Sequence, residues 1–155
     1  MELSQLLERL EYEVVQGSVR TEITTLINDS RKVEKGSAFV CISGAVSDGH
    51  KFAGEVVQKG AAALIVEKDV EAPEEVTVIR VKDTRYALAL MSASYFSYPA
   101  DKLKVIGITG TKGKTTTTYM IRSILEDVGH KVGLIGTIEA IIGDPFSGVH
   151  TFLCG

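Results

Sequence analysis

The chain has 155 residues, of which 45% are apolar and 24% are charged, and its formal net charge is -3. This is the composition of an ordinary globular protein, and the lack of a basic stripe argues against nucleic acid as a partner. The N-terminus does not have the pattern of a signal peptide, the apolar runs are too short to span a bilayer, and two cysteines form no disulfide framework. The sequence therefore predicts a cytoplasmic protein without membrane insertion, in which Cys41 is a buried thiol.

Apolar patterns along the first hundred residues alternate between the periods of strands and helices. Leucines at helical spacing predict a short N-terminal helix, and compact apolar runs predict strands at 23–28, 37–42, 61–67 and 76–81. Two further helices are expected, over 50–60 and over 84–99, the second capped by Asp83 or Thr84 and ended by Pro99. This alternation indicates an α/β fold.

The polar segment 97–104 contains a proline and separates a finished helix from a new apolar strand. We expect a first domain at about residues 1–100 and the beginning of a second domain at 101–155. The second domain opens with a strand at 104–109, a glycine loop at 110–114, a helix at 115–129 and another strand at 131–137. The helix is expected to bury one apolar face made of Ile121, Ile124, Leu125 and Val128.

The loop between the first strand and helix of this second domain has the pattern of a phosphate-binding loop. Glycines let backbone amides crowd around phosphate oxygens, and the helix N-terminus favours an anion. Lys114 is placed to reach the outer phosphates, and the Thr115 hydroxyl is the expected Mg²⁺ ligand. The residues expected to bind ATP are Gly110, Thr111, Lys112, Gly113, Lys114, Thr115 and Thr116.

This loop departs in one way from the general motif, which has a glycine five residues before Gly113. That position is Ile108, and Gly107 is one residue out of register. The alternative is a Gly/Thr-rich helix start that binds no ligand. Threonine is a mediocre helix former, so four in the first turn suit hydroxyl donors near an anion better than they suit helix stability.

The stretch GITGTKGKTTT is very similar to the nucleotide loop of the Mur ligases, ATP-dependent enzymes that add amino acids to the peptidoglycan precursor. Their loop has the same shifted glycine, although Lys112 stands where the family often has Asn. Upstream, DSRKVEKGSAFVCISGAVSDGHKF at 29–52 resembles the N-terminal domain of one branch, the UDP-N-acetylmuramoyl-tripeptide synthetases. The resemblance covers roughly residues 1–142, and the segment PFSGVHTFLCG departs from it.

The resemblance implies which residues contact the UDP end of the substrate. They are Asn28, Ser30, Ala45, Val46 and Ser47. From the residues alone a simpler interpretation stays open, in which Asp29 and Arg31 form a local ion pair and Ser30 caps a turn. Asp48 and Gly49 are expected to form a turn rather than a contact.

The reaction that the resemblance implies is amide formation in two steps. ATP phosphorylates the terminal carboxylate of UDP-MurNAc-L-Ala-D-Glu, and the amine of an amino acid then attacks the acyl phosphate. Lys114 is the expected catalytic residue, since with Mg²⁺ it offsets charge on the transferred phosphoryl group. Whether lysine or diaminopimelate is added stays open.

The family has several hundred further residues, including Mg²⁺ ligands and a domain that selects the amino acid. We therefore expect a fragment whose second domain is poorly covered and which has no synthetase activity without the missing remainder of the ligase. Two other functions stay open: a noncatalytic nucleotide-binding module and an unrelated phosphate-loop ATPase.

Overall fold

The chain forms two compact units in the computed structural model, Met1–Ser97 and Tyr98–Gly155. The structure describes residues 1–44 and 47–141, and the backbone of residues 151–154. Each unit has its own sheet and its own buried apolar cluster. The mixed α/β architecture with mostly parallel strands confirms the expected fold class.

In the first unit, the described residues form a five-stranded sheet with helices packed on it. The elements are α1 (Leu3–Leu6), β1 (Glu13–Gln16), β2 (Leu26–Ile27), β3 (Ala38–Val40), α2 (Ala53–Gln58), β4 (Ala63–Val66), β5 (Thr77–Arg80) and α3 (Thr84–Tyr95). The strand order is β1-β5-β4-β3-β2, with β1 antiparallel at one edge and the other strands parallel. Short 3-10 turns at Ser30–Lys32 and Gly49–Phe52 follow the loops after β2 and β3.

The central strands of this sheet are buried on both faces. Ile65 lies in the cluster that α1 and α3 cover through Leu6 and Met91. Its neighbour Leu64 points the other way, into the cluster that α2 covers through Val56. A strand covered on both faces needs apolar residues at every position, which explains the uninterrupted run at β4. Each such side chain contributes roughly 1.5–3 kcal/mol through burial.

Helix α3 begins as expected and ends earlier than expected. The Asp83 carboxylate accepts the first free backbone amides of the helix, so Asp83 is the cap. The helix ends at Tyr95, and not at Pro99 as the sequence predicted. Ser97 and Tyr98 have φ values of 59° and 49°, in the left-handed region, so the helical path is already broken before the proline. Pro99 instead begins a 3-10 turn.

The second unit contains a phosphate-loop type strand, loop and helix, followed by further strands. Its elements are β6 (Lys104–Gly107), α4 (Lys114–Asp127), β7 (Val132–Ile135), β8 (Ala140–Ile141) and β9 (Thr151–Cys154). The strand order is β6-β9-β7-β8, in which β6, β9 and β7 are parallel and β8 is antiparallel.

The last strand corrects a prediction. The sequence predicted two parallel strands here and treated the final segment as a departure from the pattern. Instead, β9 lies between β6 and β7, pairing Val105 with Phe152 on one side and Leu134 with Leu153 on the other. The order of strands along the chain does not predict this pairing, because parallel neighbours in a sheet are joined by long connections.

Helix α4 buries a different face from the one expected. Ile121 and Leu125 pack against the cluster around Leu134, as predicted. Ile124 and Val128 are 63% and 67% exposed, so the prediction that they share this buried face was wrong. The exposed apolar residues of this unit include Val105, Met120, Ile124, Val128, Ile135 and Ile138. The expectation of a poorly covered second unit is thereby confirmed.

Candidate functional site

A groove of about 760 Å³ opens at the carboxyl edge of the parallel strands in the first unit. Loops that follow the strands of an open α/β sheet meet at this edge, and ligands bind there. The groove is lined by Asn28, Asp29, Ser30, Arg31, Phe39, Ile42, Ser47, Gly49, Phe52 and Glu55. It therefore brings together Asn28, Ser30 and Ser47 from the predicted substrate set, whereas Ala45 and Val46 lie outside the described residues.

The Asp-Ser-Arg turn is held by the ion pair that the simpler interpretation predicted. The Asp29 carboxylate accepts from Arg31 Nε at 2.9 Å and from its terminal nitrogen at 2.8 Å. Hydrogen bonds from the Arg31 side chain and backbone hold the pKa of Asp29 well below its usual range. The cap of the 3-10 turn is Asp29, so the expectation that Ser30 caps it was wrong. A carboxylate accepts the backbone amide two residues on more strongly than a hydroxyl does.

Three polar side chains of the groove remain available to a ligand. Lys59 donates to the Ser30 carbonyl at 2.9 Å and to the Glu55 carboxylate at 2.6 Å, which fixes the Ser30 backbone to α2. The side chains of Asn28, Ser30 and Ser47 make no hydrogen bond to any other described residue. Groove polar groups without internal partners are available to bond a bound molecule.

The loop after β3 is tied at its base by Asp48. Its carboxylate accepts from the Lys68 ammonium at 2.8 Å and from the ring and backbone amide of His50. These contacts hold the pKa of Asp48 well below its usual range, with Lys68 the largest cause. The next position requires glycine, because a Cβ at Gly49 would lie 2.7 Å from the Ile42 backbone nitrogen. Asp48 has the structural role that was expected, whereas Gly49 also lines the groove.

Seven residues that line the groove were not predicted as site residues. Asp29, Arg31 and Gly49 were expected to serve structure, and the other four are Phe39, Ile42, Phe52 and Glu55. Phe39 and Ile42 belong to an apolar run that reads as ordinary core, and Phe52 reads as a buried helix residue. Only the sheet topology places them beside the loop after β2.

In the second unit, the loop after β6 leads into the N-terminus of the 14-residue helix α4. Gly113 is the cap residue and has a φ of +79°, a left-handed conformation that favours glycine. Residues 109–113 are exposed, so the loop amides are open to a ligand. A helix start with exposed amides and a positive dipole end suits phosphate oxygens.

Lys114 and Thr115 are half-buried at the start of α4. The Lys114 ammonium donates to the Gly110 carbonyl at 2.7 Å, which places its charge over the loop. The Thr115 hydroxyl makes no hydrogen bond to any described residue, so it is open to a metal ion or a phosphate. Thr118 is 2% exposed and its hydroxyl donates back to the Thr115 carbonyl at 2.7 Å. Thr118 thus packs against the helix, while Thr116 and Thr117 are exposed.

A mostly parallel sheet with a groove at its carboxyl edge, followed in the chain by a strand, glycine loop and helix, defines a protein of the α/β class with a loop of the phosphate-loop type. The chain matches the sequence profile described as "Mur ligase family, catalytic domain" over residues 22–96. It matches "Mur ligase middle domain" over residues 108–151. The chain belongs to the Mur ligase family. The match through residue 151 overturns the expectation that the family pattern stops near 142.

Relatives with curated names cover nearly the whole chain. It is 52% identical over 144 residues to the UDP-N-acetylmuramoyl-L-alanyl-D-glutamate--2,6-diaminopimelate ligase of Clostridium perfringens, covering 93% of this chain and 30% of that protein. It is 45% identical over 147 residues to the same-named ligase of Clostridium tetani, with the same shares covered. The chain thus spans about 30% of the length of these relatives.

Solved structures support the fold. MurF from Acinetobacter baumannii is 31% identical, with a TM-score of 0.64 over 99% of this chain and 34% of that chain. A UDP-N-acetylmuramoyl-L-alanyl-D-glutamate--2,6-diaminopimelate ligase superposes with a TM-score of 0.76 over 100% of this chain and 36% of that chain, at 20% identity. Among the described residues, no helix is long and apolar enough to cross a bilayer.

Proposed function

We propose that this chain is the N-terminal part of an ATP-dependent ligase that forms an amide bond on UDP-MurNAc-L-Ala-D-Glu during peptidoglycan synthesis. The observation that carries the proposal is the groove that gathers Asn28, Ser30 and Ser47. The family match favours this function over an unrelated phosphate-loop ATPase. We assign residues 1–100 to the substrate-binding domain and residues 101–155 to the start of the ATP-binding domain.

The groove suits the uridine diphosphate end of such a substrate. Ile42 and Phe52, which are half-buried, supply an apolar surface for a planar base above the buried Phe39. Asn28 and Ser30 offer an amide and a hydroxyl to the base or to a phosphate. In this proposal Ser47, together with Ala45 and Val46, contributes from the loop after β3.

The phosphate loop suits ATP with Mg²⁺. The backbone of residues 110–116 would surround the polyphosphate, and the Lys114 ammonium would exchange the Gly110 carbonyl for phosphate oxygens. The Thr115 hydroxyl would join the Mg²⁺ shell, and the ion would neutralise phosphate charge. Lys114 thereby holds positive charge where the phosphoryl group is transferred, which is its proposed catalytic role.

We propose 2,6-diaminopimelate, rather than lysine, as the amino acid added. The support is that relatives 52% and 45% identical to this chain are named as 2,6-diaminopimelate ligases. We place the reaction in the cytoplasm, where ATP is available. Turnover is expected only when the part of the ligase that this chain does not span is present.

Calorimetry on residues 1–155 tests the proposal. We expect one site for UDP-MurNAc-L-Ala-D-Glu and one separate site for ATP with Mg²⁺. Binding of ATP with no heat from the muramoyl nucleotide would contradict the assignment of the groove. A full-length protein that binds both ligands and releases no phosphate with diaminopimelate would support the noncatalytic module instead.

A further inference from the structure

The two described ends of the loop after β3, residues 43–44 and 47–49, bond each other, and these residues are called the hairpin here. The Gly44 amide donates to the Ser47 carbonyl at 2.8 Å, and the Gly49 amide donates to the Ile42 carbonyl at 2.9 Å. Ser43 and Asp48 form an antiparallel bridge at its base. Because this hairpin carries Ser47 into the groove, whatever anchors it sets the shape of one groove wall.

His50 supplies the buried anchor through both of its ring nitrogens, beside an exposed bond from the Arg85 guanidinium to the Ser43 carbonyl at 3.2 Å. Nδ1 lies 2.6 Å from the Asp48 carboxylate, and Nε2 accepts the Glu67 backbone amide at 3.0 Å. A nitrogen that accepts an amide hydrogen carries no proton of its own, so Nδ1 carries the proton and donates to Asp48. The His50 side chain is 7% exposed, so water does not compete well for these bonds.

The chain of contacts continues beyond His50 into the body of the unit. Glu67 directly follows β4, and its carboxylate accepts from the Thr84 amide and hydroxyl, both at 2.7 Å. Thr84 is the first residue of α3 and is fully buried. A continuous path therefore runs from the hairpin through Asp48, His50 and Glu67 to the start of α3.

We propose that His50, as a neutral imidazole protonated on Nδ1, is a positioning residue that holds the hairpin wall of the groove for the nucleotide substrate. This inference rests on the proposed function of the groove. His50 does not line the groove and acts through Asp48. Lys68 also contacts Asp48, but its side chain is 58% exposed, and an exposed ion pair holds a loop less firmly.

Replacing His50 in residues 1–155 separates positioning from bulk stability. Asn at this position can keep a donor near Asp48 and Gln can keep an acceptor near Glu67, while Ala keeps neither. We expect His50→Ala to weaken binding of UDP-MurNAc-L-Ala-D-Glu about tenfold, and His50→Asn and His50→Gln to weaken it less. The affinity for ATP with Mg²⁺ should stay unchanged in all three, because the phosphate loop is in the other unit.

Two controls match these variants. Lys68→Met removes the charged partner that Asp48 has besides His50, and it is expected to weaken binding of the muramoyl nucleotide less than threefold. His130→Ala replaces an exposed histidine in the second unit and should change neither affinity. An equal loss in Lys68→Met and His50→Ala would overturn the special role of His50.

A long-range ¹H–¹⁵N spectrum of the wild-type protein tests the tautomer of His50 directly, independently of any change in affinity. The His50 signal, assigned by its absence in His50→Gln, should show a protonated Nδ1 and an unprotonated Nε2 at neutral pH. A protonated Nε2, or unchanged nucleotide affinity in His50→Ala, would overturn the inference and leave the proposed function standing. A wild-type chain that does not bind the muramoyl nucleotide would overturn both.

Discussion

The ion pair between Asp29 and Arg31 shows that charged and uncharged polar residues have different roles in the groove. Charged side chains bond each other or the backbone and shape the turns, as Asp48 also does with Lys68. Short polar side chains such as Asn28 and Ser30 are left for the ligand. The ion pair within the Asp-Ser-Arg motif could therefore be predicted from the sequence, but the residue that caps the turn could not.

At the same scale, Lys114 is expected to dominate ATP binding. Replacing it with Met removes a charge that lies over the loop, where it now contacts the Gly110 carbonyl. A charge-assisted hydrogen bond contributes about 1.5–3 kcal/mol, so Lys114→Met should weaken ATP binding about 10- to 100-fold by calorimetry. The matched control is Lys131→Met, at an exposed position after α4. Unchanged ATP affinity in a folded Lys114→Met protein would refute the loop assignment.

The carboxylates of the first unit give a pH dependence with a defined sign. Hydrogen bonds from Thr84 lower the pKa of Glu67, and contacts with Lys68 and His50 lower that of Asp48. A carboxylate whose folded pKa lies below its unfolded value, about 4, stabilises the fold above that pH. This contribution is lost as the pH falls further, through the folded pKa. The melting temperature of the first unit should therefore fall as the pH drops below about 4.

Substitutions identify which groups cause this acid loss. Asp48→Asn and Glu67→Gln should each flatten the dependence of the melting temperature between pH 5 and 2. Glu74→Gln, at an exposed loop position, is the control and should leave the slope unchanged. Equal slopes in all the proteins would mean that other carboxylates govern acid unfolding.

Among the elements, those with strong local patterns were predictable and those defined by distant partners were not. The buried strands β3 and β4 and the helix α3 follow from apolar runs and a capping aspartate. The short edge strand β1 has a largely exposed sequence and owes its form to pairing with β5. The central place of β9 likewise depends on pairing partners far away in the chain.

Helix α4 gives a prediction at the element scale, because its apolar residues fall on two faces. Leu134 on the facing strand is 2% exposed, and Leu134→Ala should destabilise the second unit by about 2–4 kcal/mol. Ile124 is 63% exposed, and Ile124→Ala should cost less than about 0.5 kcal/mol. Urea unfolding of the second unit measures both. A comparable loss in the two variants would mean that Ile124 packs against a partner surface.

At the scale of the whole molecule, the sequence indicated a boundary near 97–104, and the structure divides into compact units after Ser97. The phosphate loop was readable because its residues are contiguous. The groove was not, because Asn28, Phe39 and Ser47 meet only when β2 and β3 pair. A site assembled from separate loops needs the topology before its residues can be named together, unless a family resemblance supplies them.

Separate units with separate ligands predict two independent responses to binding. A ligand that binds only the folded state at about 100 times its Kd adds about 2.7 kcal/mol, on the order of 10 °C for a unit of this size. In calorimetric unfolding of residues 1–155, UDP-MurNAc-L-Ala-D-Glu should raise one transition and ATP with Mg²⁺ the other. Lys114→Met should abolish only the ATP response. Independent unfolding is expected because each unit has its own buried cluster. If either ligand raised the temperature of both transitions together, the two units would instead unfold as one cooperative body.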